Sequence, residues 1–443
     1  MSKSDFQDQI IAKLNACAPD NMDDGTWEVG RTSESVLAQI KYVLTTGITA
    51  FDAIVGGMPF GRMIELFGLE GCGKSAMAIR CAARAHLGHI CEVIHSDDDK
   101  MPTFKPLDPK DCDVAVFYVD NEQSLDDDEK IVYDGKQLDI VNFRCDTTDQ
   151  MFKAIDRVID VAEARTEKSP KKHHFLVIVV DTIASTTTKQ EMEQVWGTQD
   201  YPRQAAQISK ALRLLTRRVN RFNVCLLFTN QVRSSFEQKA KGKKVVFGIN
   251  PLDYKSIGGF ALRFHASHRV FMYAQPHKYK LVPDAQFPAG IQIGFHTVKN
   301  RLRMPLRDGR MALLFDKKQG GLNDAFSLLE TLIFLGFIEL KKEKGSDFVC
   351  KFARNGIVPT TFDPAAIDKT LDEEDEDPTP RRGSRKDPGF KYRALWPQFY
   401  RDHKADVDKL WDRAVAYAMS TDGLDGSVVV QESDELIDED EKD

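Results

Sequence analysis

A chain of 443 residues has room for two or three domains with ample core, and 42% hydrophobic with 29% charged residues is the composition of a soluble globular protein. No apolar run approaches the ~20 residues of a membrane span, and Met1-Ser2-Lys3-Ser4-Asp5 lacks the apolar core of a signal peptide. A membrane role is therefore not expected, and a cytoplasmic location is. The net charge of −7 argues less against a polyanion partner than it first suggests. Eight carboxylates and one lysine fall in the last twelve residues, and Asp372 to Asp377 is a second acidic run. The remainder is nearly neutral to basic. The eight cysteines of so long a chain, one of them inside a glycine-rich loop, read as free thiols in a reducing compartment.

Residues 1–45 read as an N-terminal appendage. Phe6, Ile10, Ile11 and Leu14 recur at helical spacing, and Ser35 to Val43 suggests a second short helix. Such a helix must bury its apolar face on its own core or on a neighbouring subunit. From Thr46 the chain alternates strands and helices, which predicts an α/β core with a mostly parallel twisted sheet over about 46–316. Strands are expected at Met63–Phe67, Val114–Asp120, Ile140–Arg144, Val177–Asp181, Val224–Thr229 and Val270–Tyr273, with helices at Ala76–Leu87, Asp149–Ala164 and Pro202–Phe222. Gly88 to Asp113, with Asp97-Asp98-Asp99, Pro102 and Pro106, reads as a surface insertion of loop character. Cys91, His95 and Cys112 near it make a poor zinc pattern. Gly290 to Asn300 and Met311 to Phe315 would close the sheet. A smaller α+β domain is expected over 317–431, interrupted at 370–388 by a charged, Pro-rich linker, and 432–443 is an acidic tail.

Arg62 to Met77 is the stretch with the most chemistry. An apolar run ends at Gly68, followed by Leu69, Glu70, Gly71, Cys72, Gly73, Lys74, Ser75 and the alanine-rich segment that begins at Ala76. This is G-x-x-x-x-G-K-[ST] in strand–loop–helix context, a phosphate-binding loop. Glycines turn successive backbone N–H groups inward, the helix N-terminus adds partial positive charge, Lys74 reaches the outer phosphates, and Ser75 can ligate Mg²⁺. ATP or GTP is expected here.

Ligands of parallel sheets sit at the carboxyl ends of the strands, and three more strand ends carry suitable groups. Phe175 to Asp181 is a fully apolar strand ending in an acid, so Asp181 is expected to orient the metal shell. Val116 to Glu122 also ends in carboxylates, and Glu122 is the candidate base for the attacking water. Val224 to Thr229 leads into Asn230-Gln231, neutral amides able to bond a γ-phosphate or a water.

Several spaced motifs in the same order resemble the RecA recombinase family. They are Thr46 to Asp52 before Gly56-Gly57-Met58-Pro59-Phe60-Gly61-Arg62, Gly68 to Ser75, Asp120-Asn121-Glu122 with Leu125-Asp126, Thr229 to Arg233, Gly258 to Ser267, and Val298-Lys299-Asn300-Arg301. The resemblance runs from about Thr45 to Leu340, with an echo in Leu395 to Met419 and the acidic tail. It implies a RecA-type P-loop ATPase that uses ATP and Mg²⁺. Lys74 and Ser75 would bind phosphate and metal, Glu122 would be the catalytic glutamate, and Asp126 would lie near the adenine. Gln231 would sense the γ-phosphate, and Lys299 and Arg301 would reach a neighbouring subunit's ATP. Where the family has an adenine-stacking tyrosine this chain has Glu129, leaving Tyr133 as the aromatic candidate. The insertion and the off-register ends suggest a divergent, phage-encoded member.

Two loops are implied to meet DNA, at about 195–203 and 234–259. The first carries Tyr201 and Arg203 and leads into a helix with Lys210, Arg213, Arg217 and Arg218; Arg213 matches a family DNA contact. The second holds Lys239, Lys241, Lys243, Lys244 and Lys255 among Phe236, Phe247 and Tyr254, and ends at Gly258, Gly259 and Arg263. Basic residues interleaved with aromatics suit a single strand, whose phosphates meet ammonium groups and whose bases stack on rings. Val246, Phe247 and Ile249 remain alternatives for the residue that wedges between bases. The acidic tail is either a solubilising end or a competitor for the basic loops. The expected partners are single-stranded DNA, homologous duplex, further copies of the chain in a helical filament, and an ssDNA-binding protein or loading mediator. A hexameric helicase or recombination mediator of the same fold is the alternative, as is a scaffold that binds ATP without turnover.

Overall fold

The structure is a computed structural model, and the residues it describes are 39–95, 101–122, 131–133, 136–138, 140–166, 168–189, 203–234, 254–279, 288–315, 321–342, 348–352 and 396–419. Two compact units are present, Met1–Lys41 and Tyr42–Asp443, and every named element belongs to the second.

In chain order the unit comprises β1 (Tyr42–Leu44), α1 (Thr49–Val55), β2 (Met58–Pro59), β3 (Arg62–Gly68), α2 (Lys74–His86), β4 (Ile90–Ile94), β5 (Thr103–Pro106) and β6 (Cys112–Asp120). There follow β7 (Ile131–Tyr133), β8 (Lys136–Leu138), β9 (Val141–Phe143), α3 (Thr148–Thr166), β10 (His173–Asp181), α4 (Arg203–Arg221), β11 (Val224–Ser234) and β12 (Tyr254–Ser256). The last group is α5 (Ala261–His265), β13 (Ala266–Tyr279), β14 (Gly290–Lys299), β15 (Asp308–Leu314), β16 (Gly321–Asn323), α6 (Asp324–Phe334), β17 (Ile338–Lys342), β18 (Phe348–Phe352), α7 (Trp396–Asp402) and α8 (Lys404–Met419).

The main sheet runs β16-β15-β14-β13-β3-β11-β10-β6-β9. The strands from β13 to β9 are parallel, and β14, β15 and β16 extend them antiparallel. Central strands are apolar on both faces because helices cover both. Along β10, Phe175, Val177 and Val179 pack toward α2, while Leu176, Ile178 and Val180 pack toward α3 and α4. Buried alanines Ala78, Ala82 and Ala85 keep α2 close to its face of the sheet. On α3 and α4 the buried positions recur at helical spacing: Met151, Phe152, Ile155 and Ile159, then Ile208, Leu212, Leu215 and Val219. A third cluster joins α1, α6, α7 and α8 through Ala50, Leu328, Leu332, Trp396, Val407 and Trp411, and the Trp396 indole donates to the Ala325 carbonyl at 2.5 Å.

Two expectations are corrected. Val43 belongs to a strand, not a helix: β1 pairs with β2 and β4, which satisfies the backbone groups that a helix would have paired locally. Gly88 to Asp113 is not an ordinary loop. It holds the hairpin β4–β5, which adds to β1 in a separate antiparallel sheet ordered β2-β1-β4-β5, and a 3₁₀ turn, Pro109–Asp111, that leads into β6. The prolines lie where sheets tolerate them: Pro106 ends an edge strand and Pro102 precedes it.

Candidate functional site

β3 is buried up to Gly68, where the sheet leaves no room for a side chain: a Cβ there would lie 1.9 Å from the Met272 carbonyl oxygen on β13. Gly71 and Gly73 then take φ of +65° and +78°, a left-handed conformation that favours glycine. Gly73 caps α2 and, having no side chain, leaves the N–H groups of the first turn without a capping bond from the N-cap residue. Lys74 Nζ donates to the carbonyls of Gly68 (3.2 Å) and Leu69 (2.7 Å), which folds its charge into the loop. Cys72 is buried, its Sγ donating to the Leu69 carbonyl, and burial raises its thiol pKa. Glu70 and Gly71 are exposed at the crest, and Ser75 and Ala76 open the helix half-buried. Open amides, an ammonium and a hydroxyl on one turn fit the phosphates and Mg²⁺ of a nucleotide.

Strand register brings the other expected groups to the same edge. Asp181 pairs with Asp120, and Gln231 with Gly68, so the ends of β6, β10, β11 and β3 lie side by side. The N–H groups of Asn121 and Glu122 both donate to the Asp181 carbonyl, at 2.8 and 3.3 Å, which fixes the chain as it leaves β6. Glu122 is exposed, and its Oε1 accepts from Gln231 Nε2 at 2.8 Å. The candidate base and the candidate sensor are thus already in contact.

Asp181 stands at the carboxyl end of β10, beside Asp120 on β6. It is 1% exposed, and its oxygens accept from Tyr118 Oη at 2.8 Å and Thr229 Oγ1 at 2.5 Å. The carboxylate is held inside the sheet edge, so its reach to a metal shell would be through water. Neither partner was singled out from sequence. The available signal was a tyrosine in an otherwise apolar buried strand, because a buried hydroxyl needs an acceptor.

A second buried network centres on Glu65. Glu65, fully buried on β3, accepts from Arg269 Nε at 2.5 Å and from Asn230 Nδ2 at 2.9 Å. Asn230 Nδ2 also donates to the Ile257 carbonyl (2.8 Å), and Arg269 lies 4.4 Å over the Phe67 ring. One carboxylate therefore ties β3 to β11, to β13 and to the returning stem of the segment after β11. That stem, β12, pairs antiparallel with the end of β11, and Ile257 N donates to the Gln231 carbonyl at 3.1 Å. Gln231 thus contacts Glu122 with its side chain and the loop stem with its backbone.

Lys299 and Arg301 lie where β14 turns toward β15. Lys299 Nζ donates to the carbonyls of Arg263 and Phe264 at the end of α5, both at 3.0 Å, and Arg301 is exposed. Burial, then Arg301, then Arg269 depress the Lys299 pKa. Among the described residues neither side chain makes an ion pair. Gly258 and Gly259 have φ of +90° and +77° and abut Ile208 and Ala205 of α4. Arg263 lies 5.2 Å over the Phe260 ring. On α4, Lys210, Arg213 and Arg217 are exposed, whereas Arg218 turns inward to Asp156 and Asp160 of α3 and leaves the basic face. Arg203 opens α4. Asp126, Glu129, Tyr201, Lys239, Lys241, Lys243, Lys244 and Phe247 lie outside the described residues, as does the acidic tail. Tyr133 ends β7.

A phosphate loop at the centre of a parallel sheet, flanked by strand ends bearing Asp181, Glu122 and Gln231, defines a P-loop nucleotide-binding α/β protein of the RecA type. The family model for the RecA N-terminal domain matches residues 108–320. The chain is similar to Protein RecA of Thermus aquaticus, 30% identical over 319 residues, 71% of this chain and 78% of that one. It is also similar to Protein RecA of Gloeobacter violaceus, 26% identical over 72% of each chain, and to that of Wolbachia pipientis, 27% identical over 66% and 67%. The chain belongs to the RecA family.

Proposed function

We propose that this protein is a DNA-dependent ATPase that assembles on single-stranded DNA as an ATP-bound helical filament and promotes homologous pairing and strand exchange. The 2.8 Å bond between Gln231 and Glu122 carries the reading, because Gln231 is also bonded through its backbone to the stem of the basic segment 234–259. A change at the phosphate end can therefore be felt at the DNA end through one residue.

In this mechanism residues 68–76 hold the triphosphate and Lys74 leaves the loop carbonyls for the outer phosphates. Ser75 would hold Mg²⁺, with Asp181 orienting its shell, and the ion would supply charge that neutralises the phosphates. Glu122 accepts a proton from the attacking water, and Gln231 orients the carboxylate. Lys299 and Arg301 serve the ATP of the adjoining protomer, stabilising charge on the γ-phosphate, so that ATP joins subunits and hydrolysis loosens them. Asp126 lies near the adenine. DNA meets Tyr201, Arg203, Arg213, Lys239, Lys241, Lys243, Lys244, Phe247, Gly258, Gly259 and Arg263, with residues 1–45 serving polymerisation. An acidic tail at 432–443 competes for the same basic loops. Deleting it should then strengthen duplex binding at moderate salt.

Glu122→Gln tests the core of the reading. Single-strand-stimulated ATP hydrolysis should fall by roughly 10²–10⁴-fold while the ATP-dependent filament persists in electron micrographs. Surviving hydrolysis would remove Glu122 from its role, and closed rings in place of extended helices would favour a helicase.

A further inference from the structure

The turn that carries Lys299 and Arg301 is fastened at three places. At its base, Thr297 N donates to the Arg307 carbonyl at 2.8 Å and Arg307 N returns a bond to Thr297 Oγ1 at 2.8 Å. In its middle, Asn300 Oδ1 accepts from the N–H groups of Leu302 and Arg303, both at 2.8 Å, while Asn300 Nδ2 donates to the Val55 carbonyl at the end of α1. At its far side, the Arg303 guanidinium carbon lies 4.9 Å over the ring of Phe104. Arg303 reaches that ring across Gly56, where an added Cβ would lie 3.0 Å from Arg303 Cγ.

Phe104 belongs to β5, opposite Val93 of β4 in the hairpin that docks on β1. The match to the RecA N-terminal domain begins at residue 108, after this hairpin. Like Val55 of the second fastening, Phe104 of the third lies ahead of the matched stretch. Its chemistry is specific: Arg303 Nε is buried with no hydrogen-bond partner among the described residues, and the Phe104 ring lies over the guanidinium. Cations on the adjacent residues repel one another, and a turn that holds them needs attachment from outside. Burial, then Arg301, lowers the Arg62 pKa, and burial, then Arg62 and Arg301, lowers that of His268, so both lie close to Arg301.

We propose that the β4–β5 hairpin braces the trans-acting turn, with Phe104 as a positioning residue that holds Arg303 and thereby aims Lys299 and Arg301 at the nucleotide of the next protomer. The inference rests on the reading of Lys299 and Arg301 as trans-acting cations, and it assigns the insertion a task within that site.

The experiment uses mixed assemblies of the full chain on single-stranded DNA. Phe104→Leu keeps apolar volume but removes the aromatic face; Phe104→Tyr restores it. A lost cation–π contact corresponds to roughly a 5–30-fold fall in turnover for Phe104→Leu, with nucleotide binding to the single protomer retained and Phe104→Tyr near the parent. Glu122→Gln protomers lack their own base but carry an intact hairpin and turn, so they can serve the competent site of a Phe104→Leu neighbour. Adding them at constant Phe104→Leu should raise total hydrolysis. No rise, or full activity of Phe104→Leu alone, overturns the brace. The control mixes Glu122→Gln with Lys299→Ala/Arg301→Ala. A rise there without one for Phe104→Leu rejects the brace alone, whereas no rise in either rejects the trans reading and the brace with it. Arg303→Gln should behave as Phe104→Leu does, and a normal thermal transition for both variants separates misplacement from misfolding.

Discussion

The two halves of the proposed nucleotide site are built on different principles. The half formed by β3, β6, β10 and β11 is fixed by strand register and by bonds among its own members: Tyr118 and Thr229 on Asp181, the Asp181 carbonyl on Glu122, and Gln231 on the Glu122 carboxylate. The half formed by Lys299 and Arg301 sits on a turn, and its lysine is parked on main-chain carbonyls of α5. The first is preorganised in a single protomer. In the second, neither cation makes an ion pair among the described residues, which suits them to a charge that arrives from elsewhere.

The sharpest way to break this contrast is to remove the cations. Lys299→Ala/Arg301→Ala should cost roughly 10³–10⁵-fold in DNA-stimulated turnover, as charge-neutralising fingers do, with nucleotide affinity of the isolated protomer little changed. Equal loss of affinity would place both residues in the cis half. Next in size is Arg269→Ala. Removing the partner of the fully buried Glu65 should destabilise the fold by about 3–5 kcal/mol, seen as a lower denaturant midpoint. A change below about 1 kcal/mol would mean that water or Asn230 compensates.

His268 offers a pH test on the strand between the halves. Burial, assisted by Arg62 and Arg301, pushes its pKa down to about 3. The folded state therefore keeps it neutral, while the unfolded chain takes up a proton below its ordinary value of about 6.5. Stability present above that value is lost as pH falls toward 3. Between pH 7 and pH 5 the loss attributable to His268 is about 2 kcal/mol, and His268→Val should lack it in denaturation curves taken at the two pH values. Parallel curves for the two proteins would contradict the assignment. The smallest effect is Tyr118→Phe. Losing one bond to a buried carboxylate should cost about 1–3 kcal/mol of stability and lower turnover less than Glu122→Gln does.

Much of the preorganised half was legible in the sequence because parallel strands buried on both faces read as unbroken apolar runs. The residues that end them, Gly68, Asp181 and Gln231, are therefore easy to locate. The braced half was less legible. Asp97-Asp98-Asp99 and two prolines gave the β4–β5 region the composition of a loop, while its pairing with β1 is a long-range contact that no local pattern reports. For the same reason Phe104 and Arg303 gave no sign of meeting. Val43 read as helix because three strand residues cannot display a period. Glu65 was visible as a lone acid in an apolar strand, but its partner Arg269 becomes apparent only once β3 and β13 lie side by side.

Gly68 shows how tightly architecture and chemistry are joined. With the Met272 carbonyl 1.9 Å from where a Cβ would stand, the first residue of the phosphate loop also admits no side chain against β13. Position 68 therefore has an alphabet of one letter for two independent reasons. Any route that relaxes the nucleotide loop by substituting it must first part β3 from β13, and with them the Glu65–Arg269 pair. The hairpin and the turn carry no such double constraint, so on the proposed reading they can change how neighbours meet without parting β3 from β13.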